Sequence, residues 1–240
     1  MISSQLFPWT IVDITQTITP QSKGYEETSS CTLTTILDYH ECLSKTKFHV
    51  QELKMPLGMG THLDAPAHAH PLKKTIDAIP LAELILPLVV VDCTKVQTRE
   101  YLKIDVHELE LFESINGVIP EQSFVYLYTG WSSFWNQPDQ YRNKQSDGSF
   151  CYPTLTNNAI ERLIARQIKG IGIDTLSPDT APDFYAHAQL LSRNILIVEN
   201  LAKPENIPAT GALIGIFPIK LEGATESPAR VVVLVRNNVL

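Results

Sequence analysis

The chain has 240 residues with 44% hydrophobic and 19% charged side chains, a composition that excludes a mainly disordered protein. Nineteen basic and twenty-six acidic residues leave a net charge of −7, which gives no electrostatic reason to expect nucleic acid or an anionic membrane as partner. The longest strongly apolar stretch, Leu84 to Cys93, is broken by Pro87 and is about half the length of a membrane span.

In chain order, MISSQLFPWT has neither the basic start nor the apolar run of a secretory signal, and a soluble cytoplasmic protein is expected. Pro56, Pro66 and Pro71 surround a histidine-rich stretch and predict a rigid irregular loop there. Leu88 to Asp92, a β-branched run after Pro87, predicts a strand buried on both faces, and the runs Phe124 to Tyr128 and Ile168 to Ile173 predict two more. Between the last two, Leu155 to Arg166 carries apolar residues at helical spacing, with Thr156 as N-cap. Ile195 to Glu199, Ala212 to Ile219 and Ala229 to Val235 complete a mixed α/β pattern with more strand than helix. Neither a repeat nor a linker divides the chain, so a single domain over 1–240 is expected. The cysteines, Cys31, Cys42, Cys93 and Cys151, form no CxxC pair and are expected to be reduced and mostly buried.

Three of the seven histidines, His62, His68 and His70, lie within nine residues. His62 and Asp64 are two apart, so in an extended segment both side chains point to one side and can grip one ion. His68 lies beyond Pro66, within reach if the loop turns. Imidazole and carboxylate together suit zinc, manganese or iron better than calcium or magnesium, and an exposed turn with incidental histidines is the other reading. Glu199 ends an apolar strand, where burying a carboxylate is costly unless it is paired or metal-bound. Asp174 and Asp179 read as turn and capping residues. Trp131, Phe134, Trp135 and Tyr141 lie in a polar loop that would wall an aryl-binding pocket, or equally pack a core or a subunit interface; Tyr25 and Trp9 share that ambiguity.

Gly58-Met-Gly60-Thr-His62-Leu-Asp64-Ala-Pro66-Ala-His68 resembles the signature H-x-G-T-H-x-D-x-P-x-H of the metal-dependent cyclase superfamily, which includes bacterial kynurenine formamidases (arylformamidases) and isatin hydrolases. Thr129-Gly-Trp131, Gly172 to Asp179, Ala186-His187, Val198 to Leu201, and Pro218 through Arg230 are similar to that family's later blocks, in the same order. The resemblance implies a single mixed-sheet domain of the swivelling β/β/α type and assembly as a homodimer or higher homo-oligomer. It implies that His62, Asp64, His187 and Glu199 hold a divalent metal, zinc first and manganese second, one ion favoured over two, and that His68 is the general acid/base. Trp131 and Trp135 are the candidate substrate-binding residues.

The activity so implied is hydrolysis of a small amide C–N bond. A divalent ion held by these residues would lower the pKa of a bound water from 15.7 toward about 7 and so supply hydroxide to the amide carbonyl, with His68 to protonate the departing nitrogen. An N-formylkynurenine-like aryl formamide, and so a place in tryptophan catabolism, is the first expectation; an isatin-like cyclic amide or a lactone is the second. The first signature histidine is Gly58 here, and glycine donates nothing. The four remaining donors can hold one ion, a residue such as His40, His49 or His70 can swing in, or the site is degenerate and the chain a non-catalytic binder.

Overall fold

The computed structural model describes residues 8–22, 24–25, 30–98 and 102–237. In chain order the strands and helices are β1 (Trp9–Asp13), β2 (Thr32–Leu37), β3 (Val50–Lys54), β4 (His62–Asp64), β5 (Ile85–Asp92), β6 (Lys103–Ile104), α1 (Val106–Asn116), β7 (Phe124–Tyr128), α2 (Pro138–Arg142), β8 (Thr154–Leu155), α3 (Asn157–Ala165), β9 (Gly170–Ile173), α4 (Tyr185–Ser192), β10 (Leu196–Glu199), β11 (Ala212–Pro218) and β12 (Glu226–Arg236). Eight strands form one sheet in the order β1-β12-β11-β5-β7-β9-β10-β4, and a further pairing of β12 with β4 closes it into a barrel-like arrangement. β5, β7, β9 and β10 run parallel to one another, while β11, β12 and β4 pair antiparallel with their neighbours. The architecture is the mixed α/β domain the sequence predicts.

Closure explains the apolar runs. Strands covered on both faces read as continuous hydrophobic stretches, because neither set of alternating side chains meets water. Leu88, Phe124, Tyr126, Leu196, Val198, Ile214, Ile216, Val231 and Val233 form one core inside the barrel. Val89, Val91, Val125, Leu127, Ile171, Ile173 and Ile197 point the other way, onto Leu109 and Phe112 of α1, Ile160 and Leu163 of α3, and Leu190 and Leu191 of α4. Gly170 and Gly172 make room inside the barrel, since a Cβ on either would lie 2.6 Å or 2.8 Å from the Phe124 ring.

Local signals account for the helix starts. Thr156 caps α3 by accepting from the Ala159 amide at 3.2 Å, as expected, although Leu155 belongs to β8 and not to the helix. Asp105 and Glu108 form a reciprocal capping box at α1, a D-x-x-E signature the hydrophobic pattern alone does not reveal. The two caps are joined, because the Thr156 hydroxyl donates to Asp105 Oδ1 at 2.7 Å.

Two expectations are corrected. The histidine-rich stretch is not loop throughout: His62 to Asp64 form β4, and the turn begins only at Pro66. Of the cysteines only Cys42 and Cys93 are buried; Cys31 is half-buried and Cys151 exposed. Among the described residues no helix is long and apolar enough to cross a membrane.

Candidate active site

β4 is the shortest strand of the barrel wall, and it pairs on both sides. Glu199 of β10 stands opposite His62, and Glu226 of β12 stands opposite Asp64. Cross-strand partners share a face, as do residues two apart, so this register gathers one imidazole and three carboxylates outside the barrel. α4 covers that face and adds His187, two residues into the helix. Gly60, at φ +75°, turns the chain into β4; a Cβ there would also strike Ile18 at 2.6 Å.

The four donors that the family resemblance implies come together. His62 Nε2 lies 3.5 Å from Asp64 Oδ1 and 3.4 Å from Glu199 Oε2, and His187 Nε2 lies 3.6 Å from Asp64 Oδ2 and 3.5 Å from Glu199 Oε1. Both rings are oriented from behind. His62 Nδ1–H donates to the Gly60 carbonyl at 2.9 Å and His187 Nδ1–H to Asp179 Oδ1 at 2.8 Å, so each Nε2 faces the carboxylates. Asp179 also accepts from the His187 amide at 3.0 Å, holding ring and helix together. It is therefore a positioning residue for His187 and not merely a turn residue. Asp174 is buried and accepts from the amides of Thr129 and Ser132 and from the Thr129 hydroxyl, which ties the loop after β7 to the barrel rim.

Charge is concentrated here. Burial alone would lower the His62 imidazole, but Asp64 and Glu199 outweigh it and push it up to about 10. Against its own burial, His187 is held well above its ordinary value by Asp179, Asp64 and Glu199. Burial would raise Asp64, yet His62 and His187 hold it below the usual carboxylate range, while burial and the charge of Asp64 push Glu199 up.

These residues fit a metal ion. Both Asp64 oxygens and Glu199 Oε1 are buried without a hydrogen-bond partner, a costly state unless a cation meets them. The separations of 3.4–3.6 Å are longer than charge-assisted hydrogen bonds and close to the ~3.4 Å edge between donors in a tetrahedral site with bonds of about 2.0–2.2 Å. Two groups each offer donor atoms within 4.8 Å of one another: Asp64, His187 and Glu199, and His62, Asp64 and Glu226. Glu226 is a residue that sequence reasoning missed, since its place opposite Asp64 is set by strand register.

A cavity of about 490 Å³ opens over the cluster, within the size range of small-molecule sites. Its lining includes His68, Tyr25, Phe184 and Leu176 beside the polar cluster. His68 is exposed at the cavity wall, its Nδ1 3.8 Å from Glu226 Oε2 and its ring centroid 5.9 Å from that of His187. Trp131 and Trp135 are not brought to this cavity. Trp131 is packed with Tyr141 and Tyr152 and donates from its indole N–H to the Tyr141 carbonyl; Trp135 donates to the Thr17 carbonyl. The aromatic walls are instead Tyr25 and Phe184, which meet at 6.2 Å. His40 pairs with Asp38, His49 with Thr35, and His70 with the Ala188 carbonyl, so none of the three stands among the donors.

Comparison with known proteins agrees with this geometry. An isatin hydrolase of Roseibium aggregatum is 30% identical over 189 residues, covering 73% of this chain and 71% of its own, and a kynurenine formamidase of Paracidovorax citrulli is 28% identical over 186 residues, covering 77% and 79%. Isatin hydrolase A from Labrenzia aggregata, solved bound to benzyl benzoate, superposes with a TM-score of 0.87 at 28% identity, covering 96% of this chain and 95% of its own. A structure described as a potential metal-dependent hydrolase with cyclase activity superposes at 0.72 with 25% identity, covering 95% of this chain and 99% of its own. Residues 12–180 match the family described as Putative cyclase, and with a barrel and buried donor cluster of this kind the chain belongs to the cyclase family.

Proposed function

We propose that the protein is a metal-dependent hydrolase of a small amide whose nitrogen carries an aryl ring, with an N-formylkynurenine-like aryl formamide as first substrate and an isatin-like cyclic amide as second. The observation that carries this reading is the buried donor cluster with unpartnered carboxylate oxygens beneath an aromatic-walled cavity. His62, Asp64, His187 and Glu199 would hold one divalent cation, zinc or manganese, whose charge lowers the pKa of a water and polarises a carbonyl. Gly60 and Asp179 keep the two imidazoles aimed at that position. His68, at the cavity wall, delivers a proton to the departing nitrogen, and Tyr25 and Phe184 face the aryl ring. Isatin and N-formylkynurenine, the molecules for which the isatin hydrolase and kynurenine formamidase relatives are named, share this aryl–nitrogen–carbonyl unit, which supports one site for either substrate.

The single domain is proposed to work as a homodimer. Among the described residues β2 and β3 pair only with each other and are exposed on nearly every residue, and an isolated two-stranded ribbon is marginal in water. Leu33, Ile36, Phe48, Val50 and Leu53 are all exposed on or beside this hairpin, as expected of a surface that a second copy covers.

The test is to assay purified protein on N-formylkynurenine and on isatin before metal removal, after chelation, and after zinc or manganese is restored. Hydrolysis of either substrate that disappears on chelation and returns with metal supports the reading. Undiminished activity in the metal-free protein, or none in the loaded protein, overturns it.

A further inference from the structure

Gly58 removes a donor from a site that otherwise keeps its buried ligands, and the structure shows what stands in its place. A Cβ on Gly58 would lie 2.5 Å from Glu226 Oε2, 3.1 Å from Glu226 Cδ and 3.3 Å from Glu226 Oε1. A side chain at 58 and the carboxylate of Glu226 therefore compete for one space. That space borders the donor cluster, because Gly58 and Glu226 line the same cavity as His62 and Asp64.

Strand register makes the placement hard to explain without a cation. Glu226 is directly opposite Asp64 across β12 and β4, and like charges directly opposite in a sheet repel. Asp64 is 1% exposed with both oxygens unpartnered, and Glu226 stands next to it with its side chain 25% exposed toward the cavity. His68 Nδ1, 3.8 Å from Glu226 Oε2, is too distant for a charge-assisted hydrogen bond. A divalent ion between His62, Asp64 and Glu226 would satisfy all three, whose donor atoms lie within 4.8 Å of one another.

We propose that Glu226 is a metal ligand of this chain, supplying from β12 the donor that Gly58 lacks. The exchange of an imidazole for a carboxylate adds one negative charge and a harder donor, which shifts the relative affinity toward manganese over zinc. The proposal rests on the metal-dependent reading above and deepens it.

Metal binding tests it without reference to turnover. Metal-free wild type, Glu226→Gln, Glu226→Ala and the exchange variant Gly58→His/Glu226→Gly are titrated with manganese and with zinc by calorimetry, with bound metal counted by elemental analysis. Far-UV circular dichroism confirms that each variant is folded. Glu226→Gln, which keeps the size and removes the charge, is expected to weaken binding about tenfold or more, in the range that even supporting residues of metal sites reach. Glu226→Ala should do the same, and the exchange variant should recover affinity with a preference moved toward zinc. Gly58→His alone is expected to lose affinity, because its side chain meets Glu226.

Metal-loaded crystals should place a Glu226 oxygen about 2.0–2.2 Å from the ion if zinc is bound. Wild-type affinity and stoichiometry retained in both Glu226 variants would overturn the proposal while leaving the hydrolase reading intact. Retained metal together with an altered pH profile would assign Glu226 to His68 and equally overturn it. A wild type that binds no metal would overturn both readings.

Discussion

His68 is the side chain whose proposed role depends least on the buried charges and most on where it stands. It is exposed on the cavity wall, not among the residues that face each other at 3.4–3.6 Å, so its removal should separate proton delivery from metal retention. His68→Gln is expected to lower kcat about 10²–10⁴-fold with bound metal unchanged. Steady-state kinetics beside elemental analysis checks this, and metal loss in step with activity would count against it. The sequence marks His62, Asp64, His68, His187 and Glu199 as candidates through the family's spacing on short local motifs, and the fold brings all five to one cavity. Asp179 and Glu226 are not so marked. Asp179 reads as a turn residue until α4 folds back and presents the His187 ring to it, and Glu226 meets Asp64 only because β12 and β4 pair in one particular register.

Elements carry a different kind of constraint. The glycine pair in β9 leaves a flat floor for the Phe124 ring within the barrel; at Gly172 a Cβ would also meet Leu201 Cδ1 at 2.5 Å. Gly172→Ala should therefore destabilise by about 1–3 kcal/mol, the usual cost of overpacking a closed core. Adding Phe124→Leu should recover part of that loss, giving non-additive values in urea unfolding; simple additivity would show that the ring is not the obstacle.

Outside the barrel, α1 and α3 are clamped by Glu113, which accepts from Arg166 Nε at 2.6 Å and from another guanidinium nitrogen at 2.8 Å. The Arg166 hydrogen bonds hold the Glu113 carboxyl below its ordinary value despite partial burial. A lowered carboxylate contributes stability above its ordinary range and loses it as pH falls through the folded-state value. Glu113→Gln should cost about 1 kcal/mol at neutral pH, and the difference from wild type should vanish in acid below that value. A pH-independent difference in denaturant midpoint would contradict the assignment.

For the whole molecule, the decisive feature is that β4 closes the barrel and carries the donors at once. The exposed β2–β3 hairpin lies outside that closed unit, and the proposed dimer is tested there. Light scattering coupled to size exclusion should give twice the chain mass for wild type. Leu53→Glu should shift the protein toward monomer with its circular dichroism unchanged, and a wild type that is already monomeric would refute the dimer. The cavity lies between β4 and α4, with no contribution from the Trp131 loop that composition singled out. Aromatic residues are equally good core material, and only packing showed that Trp131 fills a core with Tyr141 while Tyr25 and Phe184 wall the cavity.

From the sequence by itself came β5, β7, β9, β10, β11 and β12 of the barrel wall, though not β1 or β4, together with the α3 helix with its Thr156 cap and the family's donor blocks. All three are written in local patterns: β-branched runs, helical spacing, and motif residues a few positions apart. α1 and α4 were not foreseen, since α1 announces itself chiefly through its capping box and α4 is a short segment stabilised by the sheet it covers. Which carboxylates face one another, which aromatics line the cavity, and what occupies the space beside Gly58 were decided by tertiary structure alone. Each depends on strand register between segments far apart in the chain, and register is set by the closure of the whole sheet.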